Sequence, residues 1–124
     1  MADGPDCVRL AIPLDTRYVR IVRLVARGVG SSMGFDVEGV DDLRIAVEEL
    51  CAALFDLSEG PALELCFEMY EGRVEVQGRT VAVPTANVDP ERFALSEQIL
   101  GVACDGYSLK VDSGIACFRL SKLV

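Results

Sequence analysis

The hydrophobic pattern is clearest between Val40 and Leu57, where apolar residues recur at the three-then-four spacing of a helix that packs against a core. The stripe consists of Leu43, Ala46, Val47, Leu50, Ala53, Leu54 and Leu57. Two adjacent carboxylates, Glu48 and Glu49, lie midway along this helix, and successive helical residues point about 100° apart. Asp41 and Asp42 are expected in the first turn, where negative charge suits the helix dipole. We expect the polar edge of this helix to face the functional site.

Two elements are predicted before this helix. Residues Cys7 to Leu14 alternate as a short strand that Pro13 closes at a sheet edge. Asp15 or Thr16 can cap a helix from about Arg17 to Val29, with valines, isoleucine and alanine on one face and four arginines on the opposite arc. The run GVGSSMG is predicted to end this helix. A phosphate-binding loop is disfavoured there because the glycines follow a helix and no GK[ST] follows them.

Alternation returns after the central helix. Ala62 to Tyr70 is predicted as a half-buried strand, and Arg73 to Val83 runs back with Val74, Val76, Val81 and Val83 inward. Asp89 can cap a third helix, PERFALSEQILGVAC, and a hairpin of Tyr107–Asp112 and Ile115–Leu120 closes the chain. This order predicts one α+β domain over residues 1–124. It would be a two-layer α/β sandwich with a mixed, mostly antiparallel sheet and about three helices on one face.

Composition narrows the classes of function. The 124 residues are 51% hydrophobic and carry a formal charge of −8, which disfavours a general nucleic-acid binder. Residues 36–75 hold twelve acidic and two basic side chains, whereas Arg17, Arg20, Arg23 and Arg27 form a basic edge. Opposite charge on two faces suits self-association or a charged protein partner, although two ordinary solvated surfaces give the same pattern. With no apolar run of membrane-spanning length and no signal-peptide pattern in MADGPDCV, a cytoplasmic location is expected.

Histidine is absent and cysteine is scattered. The missing histidine removes Ser-His-Asp and Cys-His catalysis and most transition-metal sites, so no metal site is expected. The five cysteines form no CxxC pair and have apolar neighbours in the sequence. They are predicted to be small buried hydrophobes in a reducing compartment.

Two long segments carry a family resemblance. PLDTRYVRIVRLVARGVG…FDVEGVDDLRIAVEELCAAL and ILGVACDGYSLKVDSGIACFRLSKLV resemble the opening and closing parts of bacterial anti-sigma-factor serine kinases. These kinases belong to the GHKL superfamily, whose fold is that of the histidine-kinase-like ATPases. The resemblance implies that fold, and it implies that the central helix corresponds to the nucleotide-binding N-box.

The same resemblance implies a degenerate nucleotide site. Glu49 matches the N-box glutamate, but Ala53 stands where the family has a Mg²⁺-binding asparagine, and a methyl group cannot coordinate a metal. Gly78 falls on the adenine-binding aspartate of the DxGxG motif, and Ser96 is nearest to the expected glycine of the lid. Three elements missing together indicate that ATP is no longer bound in the family's manner.

Three hypotheses follow. The first is a non-catalytic regulator that binds a sigma factor, a STAS-type anti-sigma antagonist or a second copy of itself, with Arg17, Arg20, Arg23 and Arg27 as the contact surface. The alternative is an active ATP-dependent serine kinase that retains Glu49 and needs ATP and Mg²⁺. The third is that the vacated cleft, made more apolar by Ala53 and Gly78, takes another small ligand.

Overall fold

An antiparallel sheet of five strands forms one layer of the protein. The computed structural model describes residues 4–124, so the first three residues of MADGPDCV lie outside it. The strands are β1 (Asp6–Pro13), β2 (Ala62–Tyr70), β3 (Arg73–Val81), β4 (Gly106–Asp112) and β5 (Ile115–Leu123). The helices are α1 (Val19–Met33), which a short 3-10 turn (Thr16–Tyr18) precedes, α2 (Val37–Leu57) and α3 (Pro90–Ala103).

The spatial order of the strands is β1-β2-β3-β5-β4, and all four pairings are antiparallel. Strand β1 therefore lies at a sheet edge, as Pro13 predicted. The α+β sandwich is confirmed, but the sheet in residues 4–124 is wholly antiparallel where a mixed one was expected. One face of the sheet packs against the helices, and the opposite face is open to solvent.

Helix α2 supplies the centre of the core. Six of its side chains are buried: Leu43, Ala46, Val47, Leu50, Cys51 and Leu54. They pack with inward residues of the sheet such as Phe67, Val76 and Phe118. The predicted apolar stripe is buried along most of its length. Ala53 and Leu57 are the exceptions, since they are only partly buried and line a cleft.

Both of the first two helices are longer than predicted. Helix α1 continues through Gly28 and Gly30 to Met33, and it ends at Gly34, whose φ of 85° is a conformation that glycine adopts without strain. Gly30 stays helical because it lies where α2 crosses α1. A β-carbon there would come within 3.3 Å of Val40 Cγ2. Helix α2 begins at Val37 and is capped by the Asp36 carboxylate, so Asp41 and Asp42 lie in its second turn and not in its first.

Two strands also end at residues other than those predicted. Strand β3 ends at Val81, and its inward residues are Val74, Val76, Gly78 and Thr80. Val81 was predicted to point inward but is 41% exposed, because the alternation continues with period two through Gly78 and Thr80. Strand β5 extends to Leu123, and its hairpin with β4 turns through Ser113 and Gly114, both with positive φ.

Candidate functional site

A cleft between α2 and α3 brings together three of the four residues that the family resemblance assigns to nucleotide-motif positions. Glu49, Ala53 and Ser96 all line it. The cavity has a volume of about 130 Å³. Apolar side chains form part of its wall, and Asp56, Asp89 and Arg92 add charge. The cleft therefore combines an apolar surface with an excess of carboxylates.

Glu49 is held from across the cleft. The Ser96 hydroxyl of α3 donates a hydrogen bond of 2.9 Å to Glu49 Oε2. Ala53 follows Glu49 by one helical turn on the same face, so it presents its methyl group to the same space. Within residues 4–124, no group of three or more Asp, Glu, Cys or His side chains is arranged to hold a metal ion.

Glu48 points to the other edge of α2 and has a different role. Its Oε1 accepts hydrogen bonds from Arg23 Nε at 3.0 Å and Nη2 at 2.7 Å, and its Oε2 accepts one from Arg44 Nη1 at 2.7 Å. Partial burial opposes ionisation of Glu48, but the two guanidinium groups outweigh it, so the pKa of the carboxyl lies below its ordinary value. Glu48 therefore joins α1 to α2 as an ionised hydrogen-bond acceptor.

Gly78 lies apart from the cleft. It is buried in β3, and a β-carbon at this position would come within 2.9 Å of Leu65 Cδ2 and nearer still to the ring of Phe118. The register places these residues on adjacent strands, since Gly78 pairs with Leu65 on one side and with Phe118 on the other. The phenyl ring therefore occupies the space that a larger side chain at position 78 would need.

Thr80 is a buried polar residue that the sequence pattern missed. It lies two positions beyond Gly78 on the same face of β3, at only 4% exposure. Its hydroxyl donates to the Ala62 carbonyl at 2.9 Å and lies 2.6 Å from the Ser58 hydroxyl. Ser58 follows Leu57, which is the last residue of α2 and lines the cleft. This hydroxyl pair therefore lies at the C-terminal end of α2, beside the cleft. A buried threonine among alternating valines was the available signal.

The four arginines of the predicted contact surface do not act alike. Arg17 pairs with its neighbour Asp15 at 2.9 Å, and Arg23 is held by Glu48. Within residues 4–124, Arg20 and Arg27 form no ion pair. They flank Leu24, which is 64% exposed, and Ile21, which is 39% exposed. We call Arg20, Ile21, Leu24 and Arg27 the basic face of α1.

The cysteines divide into two groups. Cys51 and Cys104 are buried as predicted, but Cys7 is exposed and Cys66 and Cys117 are partly exposed. These three lie on the open face of the sheet because residues of alternate parity point away from the helices. The prediction that all five are buried was therefore wrong for the strand cysteines.

The architecture defines a two-layer sandwich of the histidine-kinase-like ATPase type. The crystal structure of the SiaB–SiaC complex from Pseudomonas aeruginosa contains a chain with the same fold. That chain matches with a TM-score of 0.59 and 15% identity over 94% of this protein and 89% of the neighbour. No family model matches the sequence. In residues 4–124, no helix has the length and apolar character needed to cross a membrane.

The sequence relatives indicate a more specific class of protein than the fold does. Serine-protein kinase RsbW of Bacillus velezensis is 37% identical over 81 residues, which are 61% of this chain and 50% of the relative. The RsbW kinases of Halalkalibacterium halodurans and Bacillus subtilis are each 31% identical, over 74 and 80 residues, with 46% and 50% of the relative covered. The predicted resemblance to the anti-sigma-factor serine kinases is confirmed, since this chain is similar in sequence to the RsbW serine-protein kinases. It spans about half the length of the curated relatives it matches.

Proposed function

We propose that this protein is a regulator that acts by binding other proteins, with no ATP binding or a much weakened one. It would be a pseudokinase relative of the anti-sigma serine kinases in a bacterial partner-switching system. The partner would be a sigma factor, a STAS-type antagonist or a second copy of this chain. The observation that carries the proposal is the set of residues that line the α2–α3 cleft, which do not suit Mg²⁺-ATP.

The contents of the cleft oppose Mg²⁺-ATP. Ala53 offers a methyl group where a metal would need an oxygen ligand, and one oxygen of Glu49 already accepts a hydrogen bond from Ser96. A cavity of about 130 Å³ is also smaller than the roughly 300–1,000 Å³ of typical small-molecule sites. Carboxylates at Glu49, Asp56 and Asp89 would repel phosphate groups, and Arg92 offsets only one of them. These residues do not fit Mg²⁺-ATP in the family's manner.

Calorimetric titration with ATP in the presence and absence of Mg²⁺ tests this part of the proposal. We expect no Mg²⁺-dependent saturable heat at millimolar nucleotide, and Glu49→Gln should give the same trace as the wild type. Mg²⁺-dependent binding that disappears in Glu49→Gln would refute the proposal. Circular dichroism of both proteins checks that the variant is folded.

The basic face of α1 supports the protein-binding part of the proposal. Leu24 is an exposed apolar side chain between two arginines that form no ion pair in residues 4–124, and arginine is one of the residues enriched at binding hot spots. An acidic partner surface with an apolar centre would complement it. Arg23 belongs to the α1–α2 contact, so we expect it to support this surface rather than to meet the partner.

A matched pair of leucines tests the surface. Leu24 on α1 and Leu95 on α3 are exposed to similar degrees, 64% and 69%. We expect Leu24→Ser to weaken binding to a STAS-domain protein or sigma factor from the same cell by about tenfold or more. Leu95→Ser should have little effect. Equal losses, or a loss only in Leu95→Ser, would contradict the assignment of the binding surface to α1.

The second candidate is an active serine kinase with diverged nucleotide motifs. It is favoured by Glu49, whose side chain lines the cleft, and by relatives that are named serine-protein kinases. This candidate predicts ATP-dependent phosphorylation of a STAS-type partner that Glu49→Ala abolishes. Transfer of labelled phosphate to the partner at the same rate in both proteins would exclude Glu49 as the base.

A further inference from the structure

A concave site larger than the α2–α3 cleft lies on the open face of the sheet. Its volume is about 700 Å³, compared with about 130 Å³ for the cleft. Four cationic side chains line it, Arg9, Arg79, Lys110 and Arg119, against the single carboxylate of Glu64. We call this site the basic groove. It is a concentration of positive charge on a protein whose formal charge is −8.

The strand register gathers three of these cations around one point. Arg79 of β3 and Lys110 of β4 both pair with Cys117 of β5, and Arg119 follows Cys117 by two residues on the same face. Two strand spacings separate Arg79 from Lys110, so their backbones lie about 10 Å apart. Side chains of this length can reach a common ligand between them. Because all three are carried by hydrogen-bonded strands, their backbone positions are fixed before any ligand binds.

The charges of the basic groove are poorly neutralised within the protein. Arg9, Arg79 and Lys110 form no ion pair in residues 4–124, although Glu64 is directly opposite Arg79 in the register. Arg119 reaches Glu75 at 3.8 Å, and Glu75 is held more closely by Arg73 at 2.7 Å. Like charges brought close together repel one another, and an anion between them would reduce this repulsion.

We propose that the basic groove binds a compact anion that carries a phosphoanhydride, such as free diphosphate or the phosphate chain of a nucleotide. Guanidinium groups bind phosphate oxygens bidentately, and a lysine adds a point charge to the same group. Three cations around one point suit a diphosphate better than a single carboxylate. The volume of the groove falls within the roughly 300–1,000 Å³ of small-molecule sites. This site is separate from the α2–α3 cleft and does not depend on the proposed function.

Calorimetric titration with sodium diphosphate, without Mg²⁺ and at low ionic strength, tests the proposal. We expect saturable binding with a Kd below the millimolar range that weakens as salt is added. The double substitution Arg79→Gln with Lys110→Gln should lower the affinity at least tenfold. Arg20→Gln with Arg27→Gln removes the same charge from the basic face of α1 and should change the affinity less than threefold. Urea denaturation of each variant confirms that all are equally folded.

The other outcomes are equally decisive. Binding of diphosphate and ADP with similar affinity, lost in the groove variant, supports recognition of the phosphoanhydride. Tighter binding of ADP, also lost in that variant, supports a nucleotide as the source of this group. Absence of saturable heat, or equal losses in both double variants, overturns the proposal. So does binding that requires Mg²⁺ and Glu49, since it belongs to the α2–α3 cleft. The proposal is also overturned if the groove variant sediments differently from the wild type but binds diphosphate with the same affinity. The groove would then be a contact between copies of the protein.

Discussion

The contact between α1 and α2 depends on Glu48, and Glu48→Gln tests how much it contributes to stability. The carboxylate accepts three hydrogen bonds, two from Arg23 and one from Arg44, all between 2.7 and 3.0 Å. Only 18% of its side chain is exposed. Glutamine keeps the shape of the side chain and removes its charge, so the substitution isolates the electrostatic part of the contact.

The expected loss follows from these contacts. Hydrogen bonds to charged groups contribute about 1.5–3 kcal/mol each when measured singly, but the loss here is smaller because the amide oxygen of glutamine remains as an acceptor. The exposure of Arg23, at 44% of its side chain, reduces the effect further. We therefore expect Glu48→Gln to lower the free energy of unfolding by about 1–2 kcal/mol at neutral pH. In a domain of this size that loss corresponds to a fall in Tm of about 3–10 °C.

The pH dependence gives the sign of the effect. The pKa of Glu48 is lower in the folded protein than its ordinary value of 4.5. Its contribution to stability is therefore fully present above the unfolded pKa and is lost as the pH falls through the folded pKa. Urea denaturation of the wild type and Glu48→Gln should show a difference near pH 7 that shrinks toward pH 3.

A matched control comes from α3. Glu97 is exposed and forms no ion pair in residues 4–124, so Glu97→Gln removes the same charge without breaking a contact. We expect its stability to stay within about 0.5 kcal/mol of the wild type. If Glu48→Gln matched this control at pH 7, or if its deficit persisted unchanged at pH 3, the assigned role of Glu48 would be wrong.

Two further predictions concern packing and thiols. Gly78→Ala should cost about 1–3 kcal/mol in urea denaturation, because its methyl group meets the Phe118 ring. Gly101→Ala, in open space on α3, should instead stabilise the protein by about 0.5–1 kcal/mol. In thiol titration with an aromatic disulfide, Cys7 should react first and Cys51 only on unfolding, since burial raises the pKa of Cys51 to about 12. A stable Gly78→Ala protein or fast labelling of Cys51 would contradict the packing described for each.

The periodic elements were predictable from sequence because their patterns are local. The spacing of apolar residues located the buried stripe of α2, and alternation gave β2 its observed bounds of Ala62–Tyr70. The ends of the helices were harder to predict from the sequence. Gly30 resembles a helix terminator in sequence, but it stays within α1 because α2 crosses there, and only the tertiary contact distinguishes these two uses of glycine.

The roles of the two adjacent carboxylates were only partly predictable. Helical geometry showed that Glu48 and Glu49 diverge, but the partners of each come from other elements. Arg23 precedes Glu48 by 25 residues and Ser96 follows Glu49 by 47, so no sequence spacing indicates either pair. The basic groove was missed for the same reason. Lys110 is a single charge on a predicted strand, and its association with Arg79 and Arg119 appears only through the strand register.

Helix α2 supports two surfaces on opposite edges, and a double-mutant cycle tests whether they are independent. One edge holds α1 through Glu48, and the other meets α3 through Glu49 and Ser96. Burial and the guanidinium groups of Arg23 and Arg44 shift the pKa of Glu48, and the Ser96 hydroxyl contacts Glu49 instead. We therefore expect the losses of stability in Glu48→Gln and Ser96→Ala to add within about 0.5 kcal/mol in the double variant.

Additive losses of stability in this double-mutant cycle would bear on the function of the protein. If the two edges are independent, substitutions in the α2–α3 cleft can remove nucleotide binding while the basic face of α1 keeps its position. The proposed loss of ATP binding would then be compatible with the proposed binding of a protein through α1. A coupling energy well above about 0.5 kcal/mol would show that the cleft and the α1 contact respond to each other. A change in the cleft would then alter the position of the basic face of α1 as well.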